Sequence, residues 1–384
     1  MRERKNYPTF SGQEMESRHR AVEQLMEQQA VDALLVYGAG RYASDVYWLT
    51  DWPCSREAYV LMQPGRDAVV LVQLYNHYPM ARVMSVIEDV RWAGPSTAAS
   101  VVELLRERGL ESRRVGLAGS IPYQHYLRLR ESLPGAAFTD LSGALRSMRT
   151  IRSAEEIERI RFASKLTDDS IRSLAEGLRA GMREDEIASL IEPVYLRQGG
   201  YAGIHFMSSM PMREPDTPVP AQFQSGRRLQ AGDCLITEIS GAYWGYSGQI
   251  HRTFSLGEGP TAEWKALHDV ALEAFETLAN VIKDGASTTE AEEAAEVIHR
   301  RGFSIYDDLV HGVNQYPPIF QTRTTRRHDS REMIFRENMV IVIQPNVMTK
   351  DERMGLQFGE TLVVKRNGCE SLNAYPREWI VCSG

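Results

Sequence analysis

The sequence predicts an α+β protein in two parts: an α/β domain over residues 1–150, then a domain over 151–384 with a curved antiparallel sheet and helices on one side. Three observations carry that prediction. Helical and strand patterns alternate through the first 150 residues, as they do where helices cover a mostly parallel sheet. A long helical pattern opens abruptly at Ser153. The last third returns to strands, after a hairpin pattern over 235–257.

The elements follow in order. Residues 14–29 have an amphipathic helical period. VDALLVYG (31–38) reads as a buried strand, followed by YVLMQPG (59–65) and AVVLV (68–72), with a Pro-Gly turn between the last two. STAASVVELLRERG (96–109) has an N-cap serine, a helical apolar period and a terminating glycine. VGLAG and FTDLSG look like strand ends. The domain boundary falls near residue 150, because Ser153 with Glu156 three residues on is a capping box. Ile157, Ile160, Phe162, Ala163 and Leu166 then recur at helical spacing. Further helical patterns cover 184–198, 261–283 and 290–302. MVIVIQPNVM and LQFGETLVVKRNGCESL complete the chain's strands.

Composition narrows the function. At 384 residues the chain exceeds one ordinary domain. A net charge of -7 argues against general nucleic-acid binding, which needs a basic field. No apolar run is long enough to span a bilayer, so no membrane partner is expected. The opening MRERKNYPTFSGQEMESRHR lacks the apolar core of a signal peptide, which implies a cytoplasmic protein. Cys54, Cys234, Cys369 and Cys382 have no metal-binding or disulfide-framework spacing, and read as reduced thiols.

LITEISGAYWGYSGQIHRTFSLG, residues 235–257, is the most informative stretch. It reads as two strands joined by a tight aromatic-glycine turn. It resembles the metal-binding hairpin of the creatinase, aminopeptidase P and prolidase superfamily, whose pattern is roughly D-x-G-x-x-Y-x-G-Y-x-S-D-I-T-R-T. Further anchors of the resemblance are the MRTIRS linker and its helix, HGV at 311–313, VIQPN at 342–346 and GLQFGETLVV at 355–364. RYASDVYWLTDW supplies a looser one in the first domain. The resemblance implies a pita-bread fold in the second domain, and a homodimer.

It also implies where metal would be held. Members with metal use two Asp, one His and two Glu. The matching positions here are Glu238, Gln249, His311, Gln344 and Gly359. A hard cation pair needs several anionic oxygens. Glu238 and His311 are the good ligands left, so a two-metal mechanism is not expected and no cofactor is assigned; a single weak metal at Glu238 and His311, with water completing its shell, stays open. Creatinase itself works without metal. This chain departs from it too, with Ala221 in place of its catalytic His and His251 in place of a glutamate.

Each candidate has a bland alternative. Alternate residues of a strand share a face, so Gln249 and His251 point together, into the cavity of relatives. An unperturbed histidine exchanges protons at a pKa of ~6.5; the alternative is a core histidine. His311 opens HGVN, and the resemblance places it on the cavity floor, with Asn314 replacing a glycine. Glu238 in an apolar strand needs a partner. His205 divides evenly between cavity wall and structure. Tyr316 matches a substrate-binding position. Arg56 resembles an arginine that reaches the neighbouring protomer's site, with an exposed loop arginine as the alternative, and the basic run 323–331 reads either as a solvated loop or as an anion attractor.

The reading that follows is a metal-independent hydrolase of a C–N bond in a small polar, carboxylate-bearing substrate. His251 or His311 would be the general base, with Glu238 orienting it or holding a developing positive charge. Gln249, Gln344, His205, Tyr316 and Arg56 would bind substrate. A lyase, a divergent Xaa-Pro peptidase and a non-catalytic pita-bread binding module are the competing readings.

Overall fold

A computed structural model describes residues 6–42, 45–313, 316–325 and 332–383. The chain divides into two compact units, Met1–Arg149 and Thr150–Gly384.

The first unit holds six strands, β1 (Ala33–Gly38), β2 (Ala58–Gln63), β3 (Arg66–Val72), β4 (Asp89–Trp92), β5 (Arg114–Ala118) and β6 (Ala137–Asp140). They form one sheet in the order β4-β3-β2-β1-β5-β6, antiparallel at β2 and parallel elsewhere. Helices α1 (Gly12–Gln28), α2 (Asp45–Thr50), α3 (Tyr78–Met84), α4 (Thr97–Glu107), α5 (Tyr123–Ser132) and α6 (Ser142–Met148) accompany it. Leu35, Val69, Leu71, Val101, Leu105 and Val115 are core residues shared by sheet and helix. Within the stretch RYASDVYWLTDW, Asp45–Thr50 is helical.

The second unit opens with α7 (Ala154–Gly177), whose capping box joins the Ser153 side chain to Glu156 N and Glu156 to the Ser153 backbone. α8 (Ala188–Leu196) follows a single 3-10 turn. Then come β7 (Tyr201–Pro211), β8 (Asp233–Tyr243) and β9 (Tyr246–Leu256), with α9 (Ala262–Val281), α10 (Thr288–Ala295) and α11 (Val297–Arg300) after them. The remaining strands are β10 (Val310–Gly312), β11 (Tyr316–Phe320), β12 (Val340–Ile343), β13 (Asn346–Met348), β14 (Gly355–Gln357), β15 (Gly359–Lys365), β16 (Gly368–Ser371) and β17 (Ile380–Cys382). The large sheet runs β11-β10-β12-β15-β9-β8-β7, with β16 on β15, β17 on β9, and β13-β14 as a separate ribbon.

Register assigns the faces of this sheet. His205, Ile239, Ile250, Glu360, Ile343 and Val310 stand opposite one another in one row across five strand pairs. That face packs against helices: Ile239 and Ile250 with α7 and α8 residues, Val310 and Ile343 with α9 residues. The adjacent row, Phe206–Glu238–His251–Gly359, points the other way. No described helix is long and apolar enough to cross a membrane.

Candidate active site

The β8–β9 hairpin builds the site. Its two-residue turn has Trp244 at φ 45 and Gly245 at φ 82, the positive pair that suits the twist of a hairpin. This turn sets Glu238 directly opposite His251 and Gln249 opposite Ser240. Helix α7 lies against the hairpin where Gly241 and Gly248 pair: a Cβ on Gly248 would come within 2.3 Å of Ser164 Cα. Thr167 Oγ1 accepts from Gly241 N and donates to Gly248 O, both at 2.9 Å. Behind the site, buried Arg252 spends all five N–H donors. They reach Pro376 O, Tyr375 O, Glu360 Oε1, and the carbonyls of His251 and Gly359.

On the inward face, Gln249 Nε2 donates to Glu238 Oε1 at 2.7 Å and lies 3.3 Å from His251 Nε2. The His251 nitrogen accepts there, so its proton belongs on Nδ1. Nδ1 is buried against Gly359 without a hydrogen bond of ordinary geometry. From β10, His311 Nδ1 reaches Gly312 O at 2.9 Å and Nε2 reaches Gln344 Oε1 at 3.2 Å. Gln344 Nε2 in turn donates to Asp308 O at 3.1 Å.

Burial sets the electrostatics. It raises the Glu238 carboxyl to about 7, with the Asp307 charge adding to it and Gln249 and Gln357 pulling it down. His251 is fully buried and pushed down to about 3, chiefly by desolvation and then by His311 and Arg252. Desolvation also lowers His311, against the pull of Gly312 O and Gln344. Asp308 rises to about 6 through burial and the Asp307 charge. The expectation of a histidine titrating near neutrality therefore differs from the structure, where loss of water favours neutral imidazoles. The group nearest neutrality is Glu238.

Five sequence candidates, Glu238, Gln249, His251, His311 and Gln344, occupy this inward face and the β10–β12 edge beside it. His205 does not. It sits in the helix-facing row, 5.7 Å from the Tyr195 ring and 3.7 Å from Glu192, because strand alternation turns it away from Glu238. Tyr316 pairs with Gly312, and its ring lies 5.1 Å from the Arg152 guanidinium rather than being shown beside Glu238. Arg56 is exposed in the loop before β2, in the first unit. In the basic loop, Arg323 pairs with Glu293 and Thr324 bonds Glu296. Asn314 and residues 326–331 lie outside the described residues.

Sequence reasoning missed Gln357, Tyr306, Asp307 and Asp308. Gln357 was findable, two residues before Gly359 on the same stretch. The turn 306–308 carries no motif; Asn346 brings it to the site, through Oδ1 to Tyr306 N and Asp307 N and Nδ2 to Asp308 O.

The model of the metallopeptidase family M24 matches residues 158–366, and that of the creatinase/prolidase N-terminal domain matches 18–151. The chain belongs to family M24. It is similar to the Xaa-Pro dipeptidase of Pyrococcus horikoshii, 24% identical over 95% of this chain and 99% of the relative. It is also similar to the ectoine hydrolase of Halomonas elongata, 26% identical over 72% of each. The solved prolidase of Pyrococcus horikoshii superposes with a TM-score of 0.79 at 23% identity, covering 95% of this chain and all of that one. The second unit has the pita-bread fold of M24.

The M24 name implies metal, and the donor set can be tested against it. Glu238 is the one carboxylate at the five ligand positions, and Gln249 already donates to it. At Gly359 a Cβ would lie 2.5 Å from His251 Nδ1 and 2.6 Å from Ile343 O. The His251 ring fills the space a ligand side chain would enter. Among the described residues no group of three or more His, Cys, Asp or Glu is arranged to hold a metal ion. These residues do not fit a dinuclear cation site, which needs several anionic oxygens.

Proposed function

We propose that this M24 protein is a metal-independent hydrolase of a C–N bond of amide, amidine or urea type, in a small polar molecule bearing a carboxylate. The observation that supports this most is His251 standing where the Gly359 side chain would start. A hydrogen-bonded set of amides and imidazoles replaces the carboxylates of the family's metal site.

Glu238, with its carboxyl at about 7, is suited to both halves of acid–base work at neutral pH. Ionised, it takes a proton from water as the oxygen bonds to the substrate carbon. It then gives that proton to the nitrogen as the C–N bond breaks. Gln249 holds Glu238 by one amide hydrogen and His251 by the other; its carbonyl oxygen has no partner among the described residues and is left for a substrate N–H. His251 orients Gln249 rather than moving protons itself. His311 is a second proton seat: Nδ1 donates to Gly312 O, and a proton arriving at Nε2 would meet Gln344 Oε1. Arg56 of a second protomer is the proposed carboxylate contact, so the proposed working form is a homodimer; the proposed location is the cytoplasm.

A second reading, a divergent Xaa-Pro dipeptidase, is favoured by the full-length likeness to such an enzyme. One experiment separates the two. Purified protein in EDTA is given ectoine, creatine and Ala-Pro, with metal-supplemented controls. Turnover of a non-peptide C–N bond in EDTA is the expected result. Turnover of Ala-Pro alone, appearing on addition of Mn or Co, overturns the proposal in favour of the dipeptidase.

A further inference from the structure

We propose that Tyr306 is a catalytic residue of this site, donating a hydrogen bond to the atom that gains negative charge as water adds to the substrate carbon; this rests on the hydrolase reading above. Three observations lead there. The Tyr306 hydroxyl oxygen is buried and has no hydrogen-bond partner among the described residues. A buried unpaired hydroxyl costs stability, and such groups in native structures call for an explanation. Gln357, whose side chain acts on Glu238, also has a buried and unpaired Oε1.

The second observation is how firmly Tyr306 is delivered. Its N–H donates to Asn346 Oδ1 at 2.8 Å and the next N–H to the same oxygen at 2.9 Å. Asn346 Nδ2 donates to Asp308 O at 3.0 Å, and Gln344 Nε2 to the same carbonyl at 3.1 Å. Asn346 is fully buried. VIQPN thus works twice: Gln344 meets His311, and together with Asn346 it pins the turn that carries the tyrosine. Asn346 acts through Tyr306 and is a positioning residue.

The third is location. Gln344 bonds His311 through Oε1 and the Tyr306 turn through Nε2, and burial with the Glu238 and Asp307 charges keeps the phenol protonated. The hydroxyl is therefore a protonated donor on the turn that Gln344 ties to His311. A pre-set donor aimed at developing charge, in a site shielded from water, does the work a metal's Lewis acidity does elsewhere. The step needs no covalent change at the tyrosine. The C–O bond forms, the water proton goes to Glu238, and the substrate heteroatom accepts the Tyr306 hydrogen bond. When the C–N bond breaks, that proton passes to the leaving nitrogen.

The test is Tyr306→Phe in the full-length protein, read by thermal melt and by turnover on whichever of ectoine, creatine or Ala-Pro the native protein cleaves in EDTA. The expected result is a melting temperature equal to or above the native one, with kcat lower by ~100-fold or more and KM changed little. Turnover within about threefold of native overturns the assignment and leaves the hydrolase reading standing. A melting temperature several degrees lower in Tyr306→Phe shows that the hydroxyl is structurally bonded and also overturns the inference. If the native protein cleaves none of the three, the hydrolase reading fails and the assignment falls with it.

Discussion

Glu238 has left water with amides, not cations, as its neighbours, and its proton affinity records that. Its ordinary carboxyl value of 4.5 moves to about 7. Between those values the folded chain keeps a proton that the unfolded chain has lost. The stability this gives is full below the unfolded value and disappears as pH rises through about 7. His251 works in the other direction: an imidazole depressed to about 3 favours the fold above its ordinary 6.5 and opposes it as pH falls. Glu238→Gln keeps the shape, removes the first effect and leaves the second. Its melting-temperature advantage over the native protein should widen between about pH 5 and about pH 8, corresponding to on the order of 3 kcal/mol. A difference that stays flat across that range would show that the carboxyl is not perturbed.

The β8–β9 hairpin is the element on which the site depends. Two glycines with different duties make it. Gly245 takes a positive φ in the turn, and Gly248 lets α7 lie directly on the strand, with Ser164 backbone atoms 2.3 and 2.4 Å from where a Cβ would be. A helix backbone cannot give way as the tip of a side chain can. Gly248→Ala should cost about 3 kcal/mol, at the upper end of overpacking. The urea midpoint of unfolding measures it. A loss under ~1 kcal/mol would mean the helix shifts freely, and the alignment of Glu238 with His251 is less constrained than the packing implies.

At the scale of the whole molecule, a metal that binds the folded chain must stabilise it by mass action. The mismatch at Gln249, Gln344 and Gly359 predicts that adding Mn, Co or Zn leaves the melting temperature unchanged, and that EDTA neither lowers it nor abolishes turnover. A metal-dependent rise in melting temperature, with metal retained at near-stoichiometric amounts by elemental analysis, would contradict this. Sedimentation tests the proposed dimer. If only monomer is present at working concentrations, Arg56 has no neighbouring site to reach.

The sequence by itself determined the fold class, the family, the hairpin and the face shared by Glu238, Gln249 and His251. Those depend on short-range rules, namely strand alternation, turn residues, capping and motif spacing, all of which act within a few residues. The α7 capping box was readable for the same reason. Tertiary structure decided the rest. His205 belongs to the helix-facing row because register, not proximity in sequence, fixes which side a strand residue takes. The proton affinities of Glu238, His251 and His311 depend on how much water the packed chain removes, which no local pattern encodes. Tyr306 reaches the site through Asn346, forty residues away in the chain, and a contact at that separation exists only once the strands between them have closed.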